Sequence, residues 1–95
     1  MAFYAVFDTE IFDAVGYEPY KEKVPAGIAA AGGKYLSRGG DLEVIEGNWA
    51  LHRVVILEFP DKAAFSSWYD SQDYAPLKAL RDSTVRTNAF TVAGT

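Results

Sequence analysis

The residues with the most chemical potential are charged side chains set among apolar ones. Glu58 is the one carboxylate in the run Arg53-Val54-Val55-Ile56-Leu57-Glu58-Phe59, and Arg38, Glu46 and Arg81 lie in similar company. A carboxylate on the apolar side of a strand is costly unless it is paired. Arginine is its natural partner, because the planar guanidinium matches a carboxylate bidentately. Two readings follow. In one, Glu58 pairs internally with an arginine and fixes the packing. In the other, Arg38, Arg53 and Arg81 hold an anionic ligand at the mouth of a sheet–helix cavity. Glu58, or alternatively Glu46, then serves as general base.

Trp68, Tyr69 and Tyr74 surround a break between two helical stretches. Aromatics with one polar atom serve as core or dimer packing. The same hydroxyls of Tyr69 and Tyr74, together with Ser71, offer a way to orient a ligand. Ser71 also has the residue type of a helix cap. Other chemistries find less material. One His and no Cys make a poor metal site, and haem would have only His52 as an imidazole ligand. Gly39-Gly40 lacks the Lys-Ser/Thr and the following helix of a phosphate loop. No nucleophile elbow is present. No metal or other cofactor is expected.

These side chains need elements to position them. Ala2 to Asp8 alternates as a strand, with Phe3, Ala5 and Phe7 on one face. Asp13 caps a helix running to about Ala31, in which Tyr17, Tyr20, Val24, Ile28 and Ala31 share one side. Pro19 and Pro25 predict a late regular start and a kink near Val24. Gly32-Gly33 ends the helix. Lys34 to Arg38 is extended, Gly39-Gly40 breaks it, and Asp41 to Glu46 is extended again. The strand 53–59 follows, with Val54, Ile56 and Glu58 on one face and Arg53, Val55, Leu57 and Phe59 on the other. Asp61 caps a helix bearing Ala64, Phe65, Trp68 and Tyr69. A second helix restarts at Ser71 or Asp73 and carries Leu77, Leu80 and Arg81. Thr87 to Ala93 is the last strand. The plan is βαββαβ, a ferredoxin-like α+β sandwich with an antiparallel sheet. One sheet face meets the helices. The other is still apolar and calls for a cover, most simply a second copy related by a two-fold axis.

The bulk numbers agree with a single domain over residues 1–95, 49 % of them hydrophobic. The net charge of −4 and scattered Lys and Arg argue against nucleic-acid binding, which requires a clustered basic face. Neither a signal peptide nor a bilayer-crossing run of about 20 apolar residues is expected. The absence of Cys fits a reducing, cytoplasmic setting.

Several words of the sequence resemble a small bacterial family, domain-of-unknown-function family 1330, of the dimeric α+β barrel superfamily. They are Gly32-Gly33-Lys34-Tyr35-Leu36, Arg38-Gly39-Gly40, Glu46-Gly47-Asn48-Trp49, Arg53 to Pro60, and Trp68-Tyr69-Asp70-Ser71 followed by Tyr74, Pro76-Leu77 and Arg81. The match is ordered and spans nearly the whole chain. The resemblance implies a ferredoxin-like protomer and a two-fold homodimer with its sheets face to face. It supplies no reaction. Superfamily members alike only in fold include cofactor-free monooxygenases, haem-degrading enzymes and lactone isomerases, and fold is a weak guide to function. The family's loop after the tryptophan usually carries a proline; here it reads Ala50-Leu51-His52, so His52 is not a motif residue. Two functional expectations result. One is a cofactor-independent enzyme acting on a small anionic or oxygenated molecule. The other is a non-catalytic ligand-binding or assembly module.

Overall fold

The computed structural model describes residues 1–95. Strand β1 (Phe3–Ile11) alternates strictly, with Phe3, Ala5, Phe7 and Thr9 buried and the residues between them half-buried. It is flanked by β3 (Arg53–Phe59) and β4 (Val85–Ala93), and β2 (Lys34–Arg38) lies outside β3. The sheet order is β2-β3-β1-β4, with every pair antiparallel. Helices α1 (Ala14–Ala30), α2 (Lys62–Tyr69) and α3 (Ala75–Thr84) cover one face. This is the ferredoxin-like α+β fold read from the sequence.

Local chemistry sets the boundaries. The Asp13 carboxylate accepts the Gly16 N–H at 3.0 Å, and Asp61 accepts that of Ala64 at 2.8 Å. Both therefore satisfy donors that a first helical turn leaves free. Gly32 ends α1 at φ +82°, a backbone region that glycine enters without steric cost. Ser71 bridges the break between α2 and α3. Its hydroxyl donates to the Trp68 carbonyl at 2.8 Å and accepts the Tyr74 N–H at 3.0 Å.

Register fixes which residues share a face. Phe3 pairs with Phe59, Ala5 with Leu57, Phe7 with Val55 and Thr9 with Arg53, all toward the helices. Tyr4 pairs with Glu58, Val6 with Ile56 and Asp8 with Val54 on the opposite, uncovered face. The helix side is closed largely by aromatic rings. Phe59 stacks on Trp68 at 5.8 Å, Phe65 on Tyr69 at 5.3 Å, and Trp68 meets Tyr74 at 4.5 Å. Leu57 and Phe59 are essentially inaccessible to solvent.

Two sequence expectations differ from the structure. The extended segment at 41–46 forms no strand: residues 39–52 make no ladder, because Gly39 (φ +67°) turns the chain off the end of β2 and away from a pairing partner. Helix α1 runs unbroken through Pro19 and Pro25 rather than starting late. Each proline removes one backbone N–H from the helix, and the Lys21 carbonyl, four residues before Pro25, accepts from Arg38 instead.

Candidate functional site

Between the helix-facing side of the sheet and α1 lies a cavity. Its walls come from Phe7 and Thr9 of β1, Tyr17, Tyr20 and Val24 of α1, Val55 and Leu57 of β3, Tyr35 and Trp68. Arg38, Arg53, Arg81 and Lys21 also line it. Its volume of about 30 Å³ is enough for a bound water. The periodicities explain the convergence. The helical stripe Tyr17, Tyr20, Val24, Ile28 faces the strand alternation Arg53, Val55, Leu57, and the bend at the end of β2 brings Arg38 over the rim.

The three arginines differ in setting. Arg81 is buried, 6 % exposed. It donates through Nη1 to the Tyr74 hydroxyl at 3.2 Å and through Nε and Nη2 to Asp82 at 3.3 and 3.2 Å. Its guanidinium also lies over the Phe7 ring at 5.9 Å. The Tyr74 hydroxyl in turn shares a 2.7 Å hydrogen bond with that of Tyr20. Arg38 stacks over Tyr35 at 4.9 Å and donates Nη2 to the Lys21 carbonyl at 2.6 Å. That carbonyl sits four residues before Pro25, which has no N–H to offer it. The proline thus frees an acceptor on α1, and Arg38 takes it, tying β2 to α1 across the cavity mouth. Arg53 has no carboxylate within ion-pair distance, and neither has Arg38.

No Asp, Glu or His lines this cavity. The side-chain oxygens in the lining are hydroxyls, those of Thr9, Tyr17, Tyr20 and Tyr35. Burial raises the pKa of Tyr17, of Tyr20 and of Tyr35. Burial likewise raises Tyr74, although the hydrogen bond from Tyr20 and the nearby Arg81 charge pull the other way. All four are therefore neutral at ordinary pH. Burial opposes the charge on Arg81, but the Tyr74 oxygen and its neighbours outweigh that and hold the guanidinium proton firmly. The result is a hollow lined by four cationic side chains and by neutral hydroxyls.

The sequence-derived site residues divide accordingly. Arg38, Arg53 and Arg81 all line the cavity, with Tyr74 hydrogen-bonded to Arg81. Tyr69 packs against Phe7, Phe65 and Tyr74 outside the lining, and Ser71 is occupied as the bridge between helices. Glu58 requires a correction. It points to the other sheet face and pairs with Lys34 at 3.1 Å, so the strand alternation that separates it from Arg53 also excludes it from this cavity. Glu46 stands exposed on the 39–52 segment. His52 binds Asp8 on the uncovered side: its N–H reaches Oδ1 at 2.7 Å, and its Nδ1 lies 3.3 Å from Oδ2. Tyr17, Tyr20 and Tyr35 are site residues that sequence reasoning did not single out. The signal was available, because Tyr17 and Tyr20 share the α1 stripe that must face β3.

Comparison with known proteins sets this architecture in a family. The sequence pattern described as "Domain of unknown function (DUF1330)" matches residues 2–95. The chain belongs to the DUF1330 family. Among curated proteins none matches it. The DUF1330 chain is similar in structure to a protein of unknown function from Rhodopseudomonas palustris, with a TM-score of 0.81 at 18 % identity over 99 % of this chain and 82 % of that one. It is also similar to SnoaB, a cofactor-independent oxygenase from Streptomyces nogalater, with a TM-score of 0.67 at 11 % identity over 99 % and 93 % of the two chains. A dimeric ferredoxin-like protein of unknown function from Thermobifida fusca gives 0.61 at 18 % identity over 99 % and 92 %. At these identities the likeness shows the fold alone. No helix of the DUF1330 chain is long and apolar enough to cross a membrane.

Proposed function

We propose that this DUF1330 protein is a homodimer, paired through the uncovered sheet face, whose sheet–helix cavity binds a small anionic or oxygenated molecule. The observation that carries the reading is the convergence of Arg38, Arg53 and Arg81 on a cavity with no carboxylate in its lining. Arg53, half-buried, and Arg38, exposed at the rim, have no carboxylate partner, and an anionic ligand would give their guanidiniums one. A ligand's charged end would lie against the cavity mouth, where Arg38 and Arg53 could meet it, with Arg81 deeper in the lining. A substrate oxygen held there would have its developing negative charge stabilised by the guanidiniums and neutral phenols. That arrangement suits a cofactor-independent enzyme, the class to which SnoaB belongs.

The lining also favours a second reading. It contains no carboxylate or imidazole to take a proton, which fits a non-catalytic carrier or sensor of the same anion. Homodimerisation is supported by the apolar uncovered face and by the dimeric neighbours of the same fold.

Both readings share a first test. Thermal denaturation is followed with a panel of small carboxylates, phosphates and phenolic acids beside their uncharged esters or amides. An anion at about a hundred times its dissociation constant should add roughly 2.7 kcal/mol of stability, and its neutral analogue little. Equal stabilisation by neutral analogues, or no stabilisation by any anion, counts against the anion site. Turnover of the bound compound under air then separates enzyme from carrier.

A further inference from the structure

Residues 39–52 form a 14-residue arm between β2 and β3 in which Gly39 to Ala50 are all exposed. Loops of this length without secondary structure are uncommon in small domains and usually serve a function. Its composition is not that of a solvated loop. Leu42 is 44 % exposed, Val44 40 %, Ile45 80 % and Trp49 73 %. A tryptophan and an isoleucine held in water are a liability unless something covers them. The arm also makes the molecule larger than its length requires. The radius of gyration is 13.4 Å, against about 12.4 Å for a compact chain of this size.

We infer that the arm crosses to a second copy of this chain, burying Trp49 and its apolar neighbours there as an extension of the dimer interface. The inference rests on the homodimer proposed above. Two observations, beside the dimeric neighbours of the same fold, choose a second copy as the occupant. First, the base of the arm is fastened on the uncovered side of the sheet, where His52 holds Asp8 through its N–H at 2.7 Å. The C-terminal base of the arm is thus fixed on the face that carries Val6, Ile56, Phe90 and Val92. Second, the molecule is only 17 Å through its thinnest direction, the depth of one helix layer on one sheet, so the chain has no further element with which to cover either part.

The test reads Trp49 directly. Trp68→Phe leaves Trp49 as the sole indole, and acrylamide quenching is measured across a concentration series spanning dimer dissociation. Quenching should fall severalfold, and emission shift to the blue, as the dimer forms. If Trp68→Phe does not fold, the difference between the wild-type signal and that of Trp49→Phe reports the same side chain. In parallel, residues 42–49 are replaced by Gly-Ser-Gly. The dimer dissociation constant should rise at least about tenfold, equivalent to about 1.4 kcal/mol. A dimer whose Trp49 stays as quenchable as in the monomer, with an unchanged dissociation constant after arm replacement, overturns the arm assignment alone. Trp49 shielded equally at every concentration also overturns it, since the arm would then fold onto its own chain. A monomer at all concentrations removes the dimer itself while leaving the anion site to stand on its own binding data.

Discussion

The two faces of the sheet are built from the same strands, yet they solve opposite problems. On the helix side the apolar residues are buried, while Arg38 and Arg53 are left without acids. On the uncovered side the charges are matched, Glu58 with Lys34, His52 with Asp8 and Arg86 with Glu10. There it is the apolar residues that lack a partner, with Phe90 59 % and Val92 51 % exposed. What each face lacks is thus different: a counter-charge for Arg38 and Arg53 on one side, an apolar cover on the other.

The sharpest way to break this comparison uses the same residue type on both faces. Phe59→Ala removes a fully buried ring stacked on Trp68 and should cost about 3–5 kcal/mol in denaturant unfolding. Phe90→Ala should change the stability of the monomer by less than about 0.5 kcal/mol. It should instead weaken the dimer, so that the stabilisation gained by raising the protein concentration sets in only at higher concentration than in the wild type. Equal losses from both substitutions at high dilution would mean that the two faces are not distinct.

Charge gives the second contrast. Arg53→Met removes a guanidinium that has no ion pair to lose, so stability should hold or rise slightly. Affinity for the cognate anion should meanwhile fall at least about tenfold, the equivalent of about 1.4 kcal/mol. Glu58→Gln breaks only a half-exposed pair with Lys34 and should cost under about 1 kcal/mol, with anion affinity unaltered. Calorimetric titration of both variants decides the matter: a larger binding loss in Glu58→Gln would return that carboxylate to the site.

The division between faces was legible because strand alternation is strict. Arg53, Val55, Leu57 and Phe59 can be assigned to one side from spacing alone, and Glu58 to the other. That same alternation already argues against a site joining Glu58 to Arg53. Spacing conceals the tyrosine wall, since Tyr17 and Tyr20 on a helical stripe look the same whether they fill a core or line a hollow. The 39–52 arm misleads for a related reason. Asp41 to Glu46 alternates like a strand, but a strand needs a neighbour, and pairing is not written in the segment itself. Ser71 is readable as a cap from its type, and a cap-like bridge is what it forms.

Alkaline titration probes the buried phenols. Tyr20 and Tyr74 are both held above the ordinary 10.0. Above about pH 10 the unfolded chain releases their protons while the folded one retains them. Stability should therefore be flat with respect to these groups below about pH 10 and fall above it, by up to about 1.4 kcal/mol per pH unit for each tyrosine. Tyr20→Phe should reduce that slope by one group. At neutral pH it should cost about 1 kcal/mol for the lost hydroxyl contact with Tyr74. Equilibrium unfolding at stepped pH measures both.

The smallest effect concerns the tie across the cavity mouth. Arg38 reaches the Lys21 carbonyl because Pro25 leaves that oxygen without its helical donor. In Pro25→Ala the helix supplies an N–H of its own, and the arginine loses its exclusive claim. Arg38→Ala should then cost about 1 kcal/mol in the wild-type background and close to nothing beside Pro25→Ala. The coupling of roughly 0.5–1 kcal/mol is the signature of residues that share a partner. An additive double variant would mean that the contact adds nothing to holding β2 against α1. The rim of the cavity would then be shaped by Tyr35 and the sheet edge, and Arg38 would be free for the ligand without first releasing the helix.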